Sequence, residues 1–252
     1  ELWDAINKAA ADLSGGTLNI PPKPKPIIKD GRGTLRNIIK KAEIKNEMDL
    51  MELSPIRLLG RVKDDAALFL KVMFEPQDLV FIGPRDAQGI VGETIRRVEE
   101  WLGFFESGHS AGPLIIVNPL TGNPAEKKSG GVTLRGDANV SEFRHCLVEF
   151  DNLTHEEQIR FWSMVRLPIK ALVDSGNKSI HAFLDVSKLA DIKTAEAWEK
   201  HIKIRLFEQL LKPLGVDYAC SNSSRLGRLP GYPRNDSWQR LLWLAPEGRT
   251  IQ

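Results

Sequence analysis

The chain has 252 residues, a formal net charge of +2, 42% hydrophobic and 27% charged residues, and two cysteines. That length can hold one large domain or two modest ones, and so small a net charge confines any nucleic-acid surface to local clusters of Lys and Arg. Cys146 and Cys220 lack paired spacing, which argues against a structural zinc or a disulfide framework, and no apolar run approaches the roughly 20 residues of a membrane span. With no signal-peptide pattern at the start, the composition predicts a cytoplasmic protein with no membrane partner. The absence of Met at position 1 predicts a fragment with flanking domains missing.

Residues 2–13 have the spacing of a short helix, with Leu2 and Ile6 on one side. Residues 14–33 carry Gly15-Gly16, Pro21-Pro22, Pro24, Pro26, Gly31 and Gly33 among lysines, which predicts a mobile, extended linker. Residues 1–33 thus read as an N-terminal remnant with its tether, and residues 34–63 as a helical segment built on Leu35, Ile38, Ile39, Ala42 and Met48. The catalytic core is expected over residues 64–252, divided into an α/β module (64–140) and a second module (141–252). The first module reads as a helix through Ala67, Leu70 and Met73, a strand at 79–82, a helix at 95–105 and a buried strand at 114–117. Residues 127–137 are Gly-rich and basic; Arg135, Asp137 and Asn139 lie where they would either touch substrate or shape a polar hairpin.

The centre of the chain is Cys146-Leu147-Val148-Glu149-Phe150-Asp151. Strand alternation puts Cys146, Val148 and Phe150 on one face and both carboxylates on the other. Acids held that close repel one another, and a divalent cation between them relieves the repulsion. An acid-x-acid pair also suits the wet side of an edge strand, so the choice falls to partners elsewhere.

Those partners follow in order. Thr154 and Glu157 form a capping box for a helix that Pro168 stops; residues 169–173 read as a strand, 175–177 as a turn and 179–186 as a strand. A long helix at 194–211 precedes a further strand within 217–226. This order predicts an α+β fold with a split βαβ antiparallel sheet, helices on one face and the other face free. His181 shares its strand face with Ser179, directly after the turn Ser175-Gly176-Asn177-Lys178, which has the small residues and cation of a phosphate nest. Asp217, Arg225 and Arg228 add a third acid and two guanidinium groups able to bind phosphate bidentately.

Together, Val148-Glu149-Phe150-Asp151, Ser175-Gly176-Asn177-Lys178-Ser179-Ile180-His181 and Asp217 with Arg225-Leu226-Gly227-Arg228-Leu229-Pro230-Gly231 resemble the three motifs of the archaeo-eukaryotic primase superfamily, in the same order. The variety resembled is the primase-polymerase of phages, prophages and plasmids. The resemblance implies an RRM-like catalytic core with an N-terminal α/β subdomain. It makes Glu149, Asp151 and Asp217 ligands of two Mg2+ or Mn2+ ions, and Lys178, Ser179, His181, Arg225 and Arg228 contacts to the incoming nucleotide. The implied partners are nucleoside triphosphates, a single-stranded DNA template and a fused or separate replicative helicase. Two departures stand out: Glu149 occupies a position that is usually Asp, and there is no zinc motif. Three alternatives compete with a nucleotidyltransferase: a two-metal 3′–5′ exonuclease, a Rep-like nickase, for which Phe183 stands where a second metal-binding His is needed, and a non-catalytic RRM-like module.

Overall fold

The computed structural model describes residues 26–58, 60–127 and 130–251. The helix expected over residues 2–13 and most of the expected tether lie outside this range. The end of the tether does not behave as one. Helix α1, Gly31–Lys41, begins where the side chain of Asp30 accepts the Gly33 N–H at 2.9 Å. Gly31 lies so close to the Pro213 carbonyl that a Cβ would meet its oxygen at 1.8 Å, and the Ile27 N–H donates to the Gln209 carbonyl at 3.0 Å. Here glycine permits close packing rather than mobility. The helical segment expected over residues 34–63 is split, since α1 stops at Lys41 and α2, Glu47–Glu52, starts afresh from the Asn46 cap.

Two antiparallel sheets organise the rest. The smaller contains β1 (Leu79–Gly83), β2 (Ile95–Arg97), β3 (Leu114–Ile116) and β9 (Leu226–Arg228), in the order β2-β1-β3-β9. The larger contains β6 (His145–Val148), β7 (Ile169–Asp174), β8 (Ile180–Asp185), β10 (Tyr232–Arg234) and β11 (Ser237–Arg249), in the order β10-β11-β7-β8-β6. Strands β6 and β7 run parallel with β8 antiparallel between them, the split unit expected, and helix α5, His155–Met164, connects them. The capping box of α5 is present, with the Thr154 N–H donating to Glu157 and the Glu157 N–H to Thr154 Oγ1. Between the sheets' strands lie α3 (Asp65–Met73), α4 (Val98–Glu106) and a hairpin of β4 (Ala125–Glu126) and β5 (Val132–Thr133). The helix expected over 95–105 is therefore preceded by a short strand, β2. Among the described residues, no helix is long and apolar enough to cross a membrane.

Two expectations are corrected. Residues 217–226 do not supply the last strand of the main sheet. They form a 3-10 turn at Tyr218–Ser221, and the chain then enters the smaller sheet as β9, leaving β11 to pair with β7. Nor is the second face of the main sheet free. Every residue of β6 and β8 is buried, and α3 and β9 lie against the face that carries Phe183; helix α5 and the long helix α6 (Ala195–Trp198, continued with π-type bonding through Glu199–Leu211) bury their own apolar residues in the same core. Phe183 meets Phe69 of α3 edge-on at 5.1 Å, and a Cβ on Gly227 of β9 would lie 2.7 Å from the Phe183 ring. Alternation along a strand gives two faces but not what lies against each. The two sheets share one apolar core, and the polar cleft is lined from both, by Leu114, Leu226 and Arg228 of the smaller sheet and His181 and Arg234 of the larger.

Asn118, fully buried two residues after β3, ties the two sheets together. Its amide nitrogen donates to the carbonyls of His145 and Ser223, and its oxygen accepts the N–H groups of Arg144 and His145. With all four bonds made, it fixes the start of β6 against the segment leading into β9.

Candidate active site

Beyond Val148 the main chain continues in extended form. Phe150 pairs with Val216 as an isolated bridge, and the Asp217 N–H donates to the Glu149 carbonyl at 3.1 Å. Phe150 is buried against Phe161 and Trp162 of α5, so its neighbours Glu149 and Asp151 turn the opposite way. Both line a cleft of about 210 Å³ together with Asn177, Lys178, Ser179, His181, Arg225 and Arg228. Seven of the eight residues singled out in the sequence thus border one cavity. The eighth, Asp217, stands behind Arg225 and caps the 3-10 turn, accepting the Ala219 N–H at 2.9 Å.

Glu149 is the most heavily contacted group. Its Oε2 lies 2.8 Å from His181 Nε2, and its Oε1 lies 3.2 Å from both Arg225 Nη2 and Cys220 Sγ. Burial alone would raise its pKa; the hydrogen bonds from His181 and the Cys220 thiol and the Arg225 charge outweigh it and hold the carboxyl well below the usual range. His181 Nδ1 faces the Arg228 backbone N–H at 3.2 Å and must accept there. The ring is then the tautomer that donates from Nε2 to Glu149, and both nitrogens serve the protein.

Arg225 Nη2 also reaches Asp217 Oδ2 at 3.4 Å, while Nη1 donates to the Ala219 carbonyl. The guanidinium therefore bridges the first and third acids. Asp151 is exposed, and burial together with the charges of Glu149 and Asp217 moves its pKa upward.

Three members were missed in the sequence. Arg85 follows the Gly83-Pro84 end of β1 and Arg234 ends β10, and both line the cleft. Cys220 is fully buried beside the acids. Only Cys220, three residues after Asp217, had a positional signal; Arg85 lies more than sixty positions before the first motif. Arg228 has its pKa lowered by burial and by the like charges of Arg234 and Arg85. Cations crowded in this way favour an anion among them.

The turn before His181 is held from behind. Gln158 of α5, fully buried, donates to the carbonyl of Lys178 and accepts the Ile180 N–H. The Gly176 N–H is bound to Asp174 Oδ1, and Arg234 Nη1 donates to the Ser175 carbonyl. Gly176 has φ +70° with the Trp238 backbone 3.1 Å from where a Cβ would lie. Arg135, Asp137 and Asn139 take structural positions instead. Arg135 lies over the Phe81 ring and donates to the Arg85 carbonyl, Asn139 ties the hairpin, and Asp137 accepts from the backbone and hydroxyl of Ser224.

No protein-family model matches the chain, and no curated protein matches it. Among solved structures, the AEP domain of the cyanophage S-2L primase-polymerase is similar over 75% of this chain and 94% of that chain, at 18% identity and a TM-score of 0.46. A likeness at that level leaves the function to be read from the cleft.

Proposed function

We propose that the chain is a DNA primase or primase-polymerase that transfers a nucleotide from an NTP or dNTP to a primer 3′-hydroxyl on single-stranded DNA. The observation that carries this reading is the composition of one cleft: Glu149 and Asp151 on one side, and Arg85, Lys178, Arg225, Arg228 and Arg234 around them. A triphosphate needs that many positive groups, and a phosphoryl-transfer centre needs carboxylates beside them. The motif order of the archaeo-eukaryotic primases agrees with it.

The residues fit Mg2+ or Mn2+. Glu149, Asp151 and Asp217 are hard oxygen donors, an Arg225 nitrogen lies between two of them, and the third remains charge-stressed. Two such ions, when bound, would lower the pKa of the attacking hydroxyl and neutralise the leaving pyrophosphate. The protein's own share is positioning. His181 orients Glu149, Gln158 sets the Lys178 turn, and Arg85, Arg228 and Arg234 hold the phosphates in line for attack.

An exonuclease has no need of this cation ring, and an RRM-like binding module needs stacking aromatics on an open sheet face, which here is buried. The test is incubation with a single-stranded template, labelled NTPs or dNTPs and Mg2+ or Mn2+. Template-directed incorporation is expected, and it should vanish in Asp151→Asn. Metal-dependent shortening of the DNA without incorporation would replace this reading with the nuclease.

A further inference from the structure

Trp101, Trp162, Trp198 and Trp243 are at most 2% exposed, whereas Trp238 is 42% exposed. It stands in the tight hairpin of β10 and β11, directly opposite Pro233, and with Tyr232, Pro230, Phe105 and His109 it borders a groove of about 660 Å³. Phe105 is already stacked on Trp101 and His109 on Phe104. The Trp238 ring meets no other aromatic ring and no cation among the described residues. A large apolar ring left open in a groove marks a binding surface. This groove adjoins the cleft. Arg228 lines the cleft and Leu229 to Gly231 the groove, Leu114 the cleft and Gly112 the groove, and in β10 Arg234 serves the cleft while Tyr232 and Pro233 serve the groove. The turn between them is fixed. Gln239, fully buried, donates to the carbonyls of Pro113 and Leu229, its own carbonyl accepts the Gly231 N–H at 2.7 Å, and at Gly231 (φ +84°) a Cβ would lie 3.0 Å from the Ala66 nitrogen. A ring carried on so rigid a support loses little freedom when a flat ligand stacks on it.

We propose that this groove takes unpaired bases of the single-stranded template, with Trp238 as the principal stacking surface, so that the template runs along the β10–β11 hairpin beside the phosphate cleft. This rests on the function proposed above and gives its template a path. A stacked ring accepts any base, because every base has a π-face. The strand's phosphates find cations at both ends of the groove: Arg85, Arg228 and Arg234 on the cleft side, and the exposed Lys63 on the other. Of the two acids at the border, Asp64 lies 2.7 Å from Arg61 Nε and Glu106 is exposed at the end of α4. The buried sheet face offers no stacking aromatics, and the hairpin supplies one instead, next to the place where a template base must meet the incoming nucleotide.

The experiment titrates the full chain with an oligothymidylate at fixed salt, without nucleotide, and reads tryptophan fluorescence together with the anisotropy of a labelled copy of the same oligomer. Stacking on Trp238 should quench the wild type's emission. In Trp238→Phe the quench should disappear while affinity stays within about twofold, because a ring remains. Trp238→Ala should weaken binding by about tenfold, the scale of one lost base–aromatic stack, and leave the slope of log affinity against log salt unchanged, since no phosphate contact is removed. Lys63→Gln should do the reverse and make that slope shallower by about 0.7, the value for one phosphate contact to a single strand. A duplex of the same length should quench far less, its bases being stacked on one another. Wild-type affinity in Trp238→Ala, a quench that survives in Trp238→Phe, or equal quenching by the duplex overturns the groove. A raised nucleotide KM in Trp238→Ala with DNA affinity intact gives the ring to the incoming base and overturns it too, and a wild type without any quench leaves the ring to a protein surface. Binding needs no turnover: if the quench and its loss in Trp238→Phe are found while nucleotide incorporation is absent, the primase reading fails and the groove stands, whereas incorporation by a protein whose DNA affinity ignores Trp238 removes the groove and leaves the primase reading in place.

Discussion

His181 holds Glu149 through a 2.8 Å contact from Nε2 while its Nδ1 takes the backbone N–H of Arg228. The pair links β8 to the acid at the end of β6 and to β9 of the other sheet. From the sequence, His181 is a contact to nucleotide phosphate; its geometry here is that of a residue positioning an acid. His181→Ala should therefore weaken Mn2+ binding in the absence of nucleotide, and turnover should fall by roughly tenfold to a hundredfold, the scale of about 1.5–3 kcal/mol for a charge-assisted hydrogen bond. Calorimetry or Mn2+ paramagnetic titration decides it. Unchanged Mn2+ affinity with a raised nucleotide KM would return His181 to the phosphates.

Arg85 offers the cleanest test of the cation ring. Its side chain is exposed at the cleft, so its removal disturbs no core. Arg85→Ala should raise the nucleotide KM by about tenfold, the lower end of a charge-assisted contact, with little change in affinity for single-stranded DNA at fixed salt. Loss of DNA affinity with an unchanged nucleotide KM would move Arg85 to the template path. Arg234→Ala should show a larger effect, because it also releases the Ser175 carbonyl.

Arg225 compensates the acids before any metal arrives. Arg225→Gln leaves Glu149 and Asp217 facing one another without that charge, so the variant should melt at a lower temperature than wild type without divalent ions. Adding Mn2+ should then raise its Tm by more than it raises the wild type's, since a ligand of the native state stabilises according to its affinity. Equal Mn2+ shifts in both proteins would show that the guanidinium and the ion do not compete.

A pH dependence follows from Asp65. This residue is buried under β11, where Oδ2 accepts the Leu241 N–H at 2.9 Å; burial, partly offset by that bond, raises its pKa to about 6. The folded state then holds the proton more tightly than the unfolded chain, so the stabilisation is complete below about pH 4 and is lost as pH rises through about 6. At neutral pH the cost is on the order of 3 kcal/mol, from about 1.4 kcal/mol per pKa unit. His145 acts in the opposite sense. Burial, with the nearby charge of Lys170, lowers its pKa to about 3, so stability is gained as pH rises toward its unfolded value. Wild-type stability should change little between pH 4 and 6. Asp65→Asn keeps an acceptor for Leu241 without the charge, and urea unfolding should find it more stable than wild type at pH 7.5, with stability rising over pH 4 to 6. A variant that tracks wild type at every pH would show that Asp65 does not titrate in this window.

The local signals were legible wherever neighbours in the chain decide the outcome. The Thr154 and Glu157 box, the β7–β8 hairpin around Gly176 and the alternation that turns Glu149 and Asp151 away from Phe150 all depend on residues within a few positions of each other. Even the grouping of Glu149, Lys178, Ser179, His181, Arg225 and Arg228 in one cleft was accessible, because three motifs in a fixed order carry it. What only the tertiary structure decided is what each face and terminus meets. Gly31 and Gly33 have the composition of a tether, yet the Pro213 carbonyl and the Asp30 cap make them the start of a helix. The second sheet face is covered because β9 leaves its neighbours in sequence to join β3, and Gly227 lets it approach Phe183. Arg85, Arg234 and Cys220 enter the site, and both nitrogens of His181 are engaged, through contacts between distant parts of the chain. A strand's period of two specifies which side chains point together; the partner on the far side is chosen by packing among segments the period cannot see.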